Sequence, residues 1–180
     1  MGDSSVSIVP RISEYKNKEN KIKKILEWLQ KNDIIEKELS DCILSKSHGY
    51  KISSGAEFVV KEPEFLPFNL ITNGLEIVTE RRIFTNMEGG LESLICPVCE
   101  QDLAEEDWEF FERWHSGETD NITCPKCNIS SDIHSFQFEP QWGFSELGFT
   151  FWNWPDFTDE FIAAFAEKLE TEVDMVYAHV

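Results

Sequence analysis

Two short cysteine motifs constrain the fold of this 180-residue chain more than any other feature of its sequence. C-P-V-C spans residues 96–99, and C-P-K-C spans residues 124–127, after 24 intervening residues. Each C-x-x-C forms a tight turn that presents two sulfurs to one ion, and two such turns supply the tetrahedral thiolate set that zinc prefers. The sequence therefore predicts a zinc ribbon with one Zn²⁺ ion. The predicted ligands are Cys96, Cys99, Cys124 and Cys127.

Other interpretations of the four cysteines are weaker. Two disulfides would need an oxidising compartment, and the start of the chain shows no apolar run of signal-peptide length. A thioredoxin-like site needs one C-x-x-C that opens a helix after a strand, whereas this motif occurs twice with an internal proline each time. An iron–sulfur cluster stays open as an alternative. Because four protein ligands leave no open coordination position, the ion is expected to stabilise structure and not to activate water.

The spacing between the two motifs indicates a small insertion inside the ribbon, because two C-x-x-C motifs in a zinc site are usually separated by about 15–20 residues. Residues 103–115 lack Gly and Pro, begin with acidic side chains and are followed by Gly117. This pattern is typical of a helix. We expect the ribbon to occupy residues 93–137 as a subdomain inserted into a single α+β domain that spans residues 1–180.

The rest of the sequence alternates between strand and helix patterns. Strand patterns cover residues 5–10, 75–84, 134–138, 147–152 and 173–180, and helical patterns cover residues 20–31 and 158–169. Without the ribbon, the order is strand, helix, strand, strand, helix, strand, which is typical of a ferredoxin-like α+β sandwich. We therefore expect a ferredoxin-like or similar two-layer sandwich. Residues 33–73 contain short apolar runs and two prolines and give no clear prediction.

Charge is distributed unevenly along the chain. Residues 1–87 hold 13 basic and 13 acidic side chains, whereas residues 88–180 hold three basic and 21 acidic ones, so the net charge of −18 lies entirely in the second half. Such a field repels the phosphates of nucleic acids and attracts basic surfaces. We therefore expect a basic protein partner and no nucleic acid. A solvated acidic surface without a partner is the alternative.

The acidic residues are densest between residues 100 and 120, where nine carboxylates accompany a single arginine, Arg113. Like charges held this close destabilise a protein through self-repulsion, which a cationic partner would relieve. Tryptophan is favoured as an anchor in binding surfaces. The candidate partner-binding residues are therefore Glu105, Glu106, Glu109, Trp108 and Trp154. For Trp154, which ends a strand beside a proline, core packing is the alternative.

Catalytic and membrane signals are missing from the sequence. We find no P-loop, no G-x-G-x-x-G and no G-x-S-x-G, and the four histidines show no metal-ligand spacing. No apolar run is long enough to cross a membrane. These observations favour a cytoplasmic protein that is not an enzyme. Cys42 is expected to be a small buried side chain.

Several segments resemble a group of uncharacterised bacterial zinc-ribbon proteins. The resemblance rests on the paired C-P-x-C motifs, on N-G-L-E-I-V-T-E-R at residues 73–81, on Gly143-Phe144, and on L-G-F-T-F-W-N-W-P at residues 147–155. It covers most of residues 70–180. The resemblance implies one continuous domain and no particular mechanism.

Two classes of function are compatible with these features. The first is a non-enzymatic, acidic protein-binding module, for example an immunity protein that neutralises a nuclease-type bacterial toxin by presenting carboxylates where phosphates would lie. The second is an enzyme or small-ligand-binding protein of unknown substrate, in which the zinc is purely structural. Its site would lie in the region without a clear prediction and would use Cys42 and His48.

Overall fold

A computed structural model describes residues 2–180 and shows an α+β fold. The strands are β1 (Ser4–Pro10), β2 (Ile35–Ser40), β3 (Gly49–Ile52), β4 (Leu75–Val78), β5 (Arg82–Phe84), β6 (Ser93–Ile95), β7 (Asn121–Thr123), β8 (Ser130–Asp132), β9 (Gln137–Glu139), β10 (Gly143–Ser145), β11 (Gly148–Trp152) and β12 (Val173–His179). The α-helices are α1 (Lys18–Lys31), α2 (Glu109–His115) and α3 (Asp159–Leu169). Short 3₁₀ helices cover Ser54–Phe58, Pro63–Phe65 and Ile133–Ser135.

Six strands form one antiparallel sheet in the order β12-β1-β11-β4-β3-β2. β1 lies inside the sheet and pairs with β12 on one side and with β11 on the other. Its residue Ser7 lies opposite Thr150 of β11 and Val176 of β12. Three further two-stranded pairs, β5–β10, β6–β9 and β7–β8, lie outside this sheet.

The main core lies between the sheet and helices α1 and α3. Alternate residues of a strand face opposite sides of a sheet, so Phe149 and Phe151 of β11 point to the same side. Both are fully buried in one cluster with apolar side chains of the two helices. The ring of Phe149 lies 4.9 Å from that of Phe165 in α3. Burying each such side chain contributes about 1.5–3 kcal/mol, so this cluster, the largest of the buried apolar clusters within residues 2–180, makes the largest single contribution to hydrophobic stabilisation.

Helix α3 begins where the sequence provides a cap. The hydroxyl of Thr158 accepts a hydrogen bond from the Phe161 N–H at 3.2 Å, as expected for one of the unpaired donors of a first helical turn. The helix ends at Glu170, whose backbone is left-handed with φ 58°. Across residues 2–180, none of the helices has both the length and the hydropathy that crossing a membrane requires.

The predicted strand over residues 75–84 is divided in two. β4 belongs to the main sheet, whereas β5 pairs with β10. Between them, the side chain of Arg81 donates hydrogen bonds to the carbonyl oxygens of Trp114, at 2.6 Å, and Thr119, at 3.2 Å. The chain therefore leaves the sheet where this arginine contacts the ribbon.

Two other predicted elements are shorter than expected. The predicted helix over residues 103–115 contains only α2, because residues 103–108 form turns in which Asp107 accepts a hydrogen bond from the Glu109 N–H at 3.2 Å. The predicted strand over residues 134–138 begins as a 3₁₀ helix, and only β9 is extended. In both places a side chain that bonds to nearby backbone competes with regular structure.

The strand order only partly matches the predicted sandwich. β1, α1, β4, β11, α3 and β12 follow the expected order along the chain, because β4 is the part of the predicted strand over residues 75–84 that enters the main sheet. β4 also pairs with β11, but two further strands, β3 and β2, extend the sheet beyond β4 to six strands, so the four-stranded ferredoxin-like topology is not shown. β2 and β3 come from residues 33–73, the region that gave no clear prediction.

The strands β5 and β10 lie against the side of the sheet away from the helices. Two glycines permit this close approach. A Cβ at Gly143 would come within 2.9 Å of Val9, and a Cβ at Gly148 would overlap the ring of Phe84. Val9 and Phe84 share a small buried cluster with Val78 and Val176. This second layer carries the ribbon.

The two ends of the ribbon lie side by side, because β6 pairs with β9 with Ser93 opposite Glu139. The ribbon has its own apolar cluster, which continues beyond residue 137 to Trp142 and Phe144. Trp114, in this cluster, donates from Nε1 to the Ser13 hydroxyl at 2.8 Å. The ribbon is therefore packed against the domain and does not hang from a linker.

We predict that deleting residues 93–137, with a short Gly/Ser bridge, leaves the main sheet folded. No buried residue of the helix-side core lies within this range. The melting temperature should fall, since Trp142 and Phe144 lose their cover. Circular dichroism during heating measures both effects. Loss of cooperative unfolding at every bridge length would show instead that the ribbon is part of the folding core.

Candidate metal centre

The four predicted cysteine ligands converge on one point. Their Sγ atoms all lie within 4.8 Å of one another, with 3.9 Å between Cys96 and Cys127 and 3.7 Å between Cys99 and Cys124. Zinc bonded to four sulfurs at about 2.3 Å requires sulfur–sulfur separations of about 3.8 Å. The cluster is therefore consistent with one metal ion such as Zn²⁺.

A backbone N–H group points at the sulfur of the first cysteine in each motif. The Val98 N–H points to Cys96 Sγ at 3.4 Å, and the Lys126 N–H points to Cys124 Sγ at the same distance. Such bonds favour the charged form of sulfur, which is the form that binds metal. The first cysteines of the two motifs therefore have equivalent hydrogen-bonding environments.

The residue after each motif completes the turn. Glu100 and Asn128 both have left-handed backbones, with φ 59° and 61°. Their N–H groups donate to the carbonyl oxygens of Cys96, at 3.1 Å, and Cys124, at 2.8 Å. Asn adopts this conformation more readily than Glu, so the tight turn at Glu100 is held by the surrounding bonds.

The thiols differ in acidity. Burial opposes ionisation of Cys96, but the backbone N–H groups of Cys99 and Val98 lower its pKa to about 7. For Cys99, the Gln101 backbone favours the thiolate, yet burial and the neighbouring thiols raise its pKa to about 11. Four thiolates this close repel one another, and a divalent cation removes that conflict.

An acidic groove lies beside the cysteine cluster. It has a volume of about 260 Å³ and lies between the start of α2 and the second cysteine motif. Its lining includes Glu106, Asp107, Glu109, Phe110 and Pro125. The metal centre and the groove therefore share one small structure, because Pro125 lies inside the second C-P-x-C motif.

The structure brings the predicted partner-binding carboxylates together. Glu106 and Glu109 line the groove, and Glu105 is exposed next to it in sequence. Lys126 lies 2.7 Å from Glu106, and this carboxylate raises the pKa of the lysine. The ion pair connects the predicted surface directly to the second cysteine motif.

The two predicted tryptophan anchors differ. Trp108 is half-buried, and its ring packs edge-on against Phe111 and Trp142 at 5.7 Å. Trp154 is only 5% exposed, and its Nε1 donates to the carbonyl oxygen of Asn73 at 2.8 Å. Because Trp154 lies in the main core, we leave it out of the contact surface.

The alternative site at Cys42 and His48 finds little support. Cys42 is 3% exposed, and a Cβ at Gly74 would overlap its sulfur. Its carbonyl oxygen accepts hydrogen bonds from the N–H groups of Asn73 and Gly74. His48 is exposed. Cys42 therefore behaves as the small buried side chain that the sequence predicted.

Sequence reasoning missed an exposed apolar segment at residues 58–71. It contains five large side chains that face solvent, and Ile71 is 86% exposed. They are Phe58, Phe65, Phe68, Leu70 and Ile71. The available signal was the density of Phe, Leu and Ile around Pro63 and Pro67 without strand or helix periodicity.

Comparisons with protein-family models, with curated proteins and with solved structures found no match to this chain. They therefore identify no family behind the resemblance to bacterial zinc-ribbon proteins. The part of that resemblance that the structure supports is the four-cysteine cluster.

We predict that the purified protein carries about one equivalent of zinc and that Cys96→Ser or Cys124→Ser abolishes its retention. Structural zinc contributes on the order of 10 kcal/mol to small zinc-dependent folds, so the ribbon should open when the ion is removed. Inductively coupled plasma mass spectrometry measures the metal. Cys42→Ser is the matched control, because Cys42 lies outside the cluster. Protein that contains no zinc without exposure to chelators, or iron in its place, would refute the assignment.

Proposed function

We propose that this chain is a non-enzymatic protein-binding module whose acidic groove receives a basic segment of a partner protein. The observation that carries the proposal is the groove itself, in which three carboxylates surround an aromatic ring beside a four-cysteine cluster. Zinc would fix the shape of this surface. The ion has no catalytic part in this function, since four cysteines fill its coordination shell.

The negative charge of the groove is available to a partner. Within residues 2–180, Glu105, Asp107 and Glu109 form no ion pair with a basic side chain. Arg113, the arginine that lines the groove, is bound to Glu118 at 3.2 Å. Its positive charge is therefore already compensated.

The chemistry of the groove suits arginine or lysine. A long basic side chain places its methylene stem on apolar surface and its charged end among acceptors. Phe110 and Pro125 offer the apolar surface, and Asp107 and Glu109 offer the carboxylates. A basic loop of a folded partner would bring several such side chains at once.

Electrostatics should act mainly on the rate of association. Complementary charges steer two proteins together, and salt screens them within a Debye length of about 8 Å at physiological ionic strength. Apolar contacts then determine how slowly the complex separates. Phe110 and Pro125 are the apolar contacts that the groove offers.

We propose, more specifically, an immunity protein that neutralises a nuclease-type toxin. A nuclease binds phosphates through basic residues, and the carboxylates of the groove would occupy those positions. Free thiols in the metal site are compatible with a reducing compartment, so we also propose a cytoplasmic location. A toxin gene directly upstream of the gene for this chain would support the assignment.

We predict that reversing Glu105, Glu106 and Glu109 to Lys lowers the association rate with the native partner by about tenfold or more, because steering is lost. The partner is isolated by affinity capture at low salt, and kinetics are then measured by surface plasmon resonance across a salt series. Zinc content should be unchanged.

The matched control reverses Glu19, Glu36 and Glu38, which are exposed and lie in the first half of the chain. It changes net charge equally but leaves the groove intact. The proposed binding site would be refuted if the association rate were unchanged by salt and by the groove reversal. It would also be refuted if the rate fell equally in the control.

A further inference from the structure

A row of hydroxyl side chains lies buried on the face of the main sheet away from the helices. Ser5 and Ser7 of β1 and Thr150 of β11 are only 8%, 5% and 6% exposed. Ser7 and Thr150 face each other across the strands, with 2.8 Å between their hydroxyl oxygens. Burying a polar group costs free energy unless the group is hydrogen-bonded, so hydroxyl side chains at these buried positions suggest a role beyond packing.

Further along the strands, the same face of the sheet becomes apolar. Val9, Val78 and Val176 lie beside the hydroxyl row and pack together with Phe84. Valine would fit the strand positions of the row equally well, because β-branched apolar residues are favoured there. The change from valine to hydroxyl side chains coincides with the opening of a cavity.

The cavity has a volume of about 270 Å³. Its floor is formed by the three hydroxyl residues and Trp152, and its sides are lined by Arg82, Phe84 and Met87. It is distinct from the acidic groove, since the two share no lining residue.

A carboxylate is held in position inside this cavity. Glu76 accepts a hydrogen bond from Trp152 Nε1 at 3.1 Å, and its other oxygen lies 3.8 Å from Arg82 Nη1. The Glu76 side chain is 12% exposed. One carboxylate and one guanidinium make the lining neutral overall.

Hydrogen-bonding capacity in the cavity remains open. In the pair of Ser7 and Thr150, one hydroxyl donates to the other, so the proton of the accepting hydroxyl is available to a further acceptor. Within residues 2–180, the Ser5 hydroxyl forms no hydrogen bond to protein, and it is not sealed from the cavity. A ligand that both donates and accepts hydrogen bonds would satisfy these groups.

We propose that this cavity binds a small, uncharged polyhydroxy compound, of the size of one monosaccharide. The volume of about 270 Å³ equals roughly nine water molecules at about 30 Å³ each, which admits one sugar ring. Sugar hydroxyls donate to Glu76 and accept from the serine and threonine hydroxyls. The rings of Phe84 and Trp152 offer apolar surface to the C–H groups of the ring.

The charges at the cavity disfavour other ligand classes. Arg82 already pairs with Glu76 and, at 2.9 Å, with Glu80, which disfavours an anion, and a cation would compete with Arg82 for the single carboxylate of the cavity. A neutral ligand meets neither obstacle. This inference does not depend on a protein partner, because the cavity and the acidic groove are separate.

The test uses full-length protein labelled with ¹⁵N-tryptophan and follows the indole N–H resonance of Trp152, identified with Trp152→Phe. D-glucose, D-galactose, D-ribose and myo-inositol are titrated separately, with adenine and inorganic phosphate as non-polyol probes. We expect a saturable shift with at least one of the four polyols. Thr150→Val and Glu76→Gln should each weaken that affinity by about tenfold, since each removes one hydrogen-bonding or charged group from the ligand.

The matched control is Thr79→Val, which changes an exposed threonine just after β4 and should leave the affinity unaltered. Both cavity substitutions nearly conserve shape, and the position of the Trp152 resonance without ligand reports whether the site stays folded. The proposal is overturned if none of the four polyols shifts this resonance, if adenine or phosphate alone does so, or if both cavity variants bind as tightly as the control.

Discussion

The alternation of side chains along β1 and β11 is the constraint on which the rest of the molecule depends. One set of residues, with Ile8 and Phe149, faces α1 and α3 and forms the main core. The other set, with Ser7 and Thr150, faces the opposite side, where β5, β10 and the ribbon are attached. Because the period is two, a slip of one residue in the pairing of either strand would bury the polar set against the helices and expose the aromatic set.

The ribbon concentrates negative charge, and like charges this close repel one another. Nine carboxylates lie between residues 100 and 120, and four thiolates lie at the adjoining cluster. A divalent ion held by the four cysteines would neutralise part of this charge and tie the turns together, and Arg81 adds a guanidinium 4.1 Å from the ring centroid of Trp114. Contacts from the sheet, together with a bound ion, would therefore stabilise an acidic surface whose like charges repel one another.

The two proposed sites lie on separate parts of the fold and depend on different structural features. The acidic groove depends on the order of the ribbon, since Phe110 comes from α2 and Pro125 from the second cysteine motif. The hydroxyl-lined cavity depends on the register of the main sheet and on the Arg82–Met87 wall. Loss of metal should therefore disturb the first and spare the floor of the second.

The sequence alone determined the features that local spacing controls. Each C-P-x-C motif specified a pair of ligands, and a capping residue, Asp156 or Thr158, followed by an apolar stripe specified the start of α3, because both features depend on residues a few positions apart. Only the tertiary structure decided which strands become neighbours, how β2 and β3 enter the sheet, and that Trp154 is buried. It also decided that Ser7 meets Thr150, 143 residues away in the chain. Such contacts depend on packing over long separations, which local periodicity does not encode.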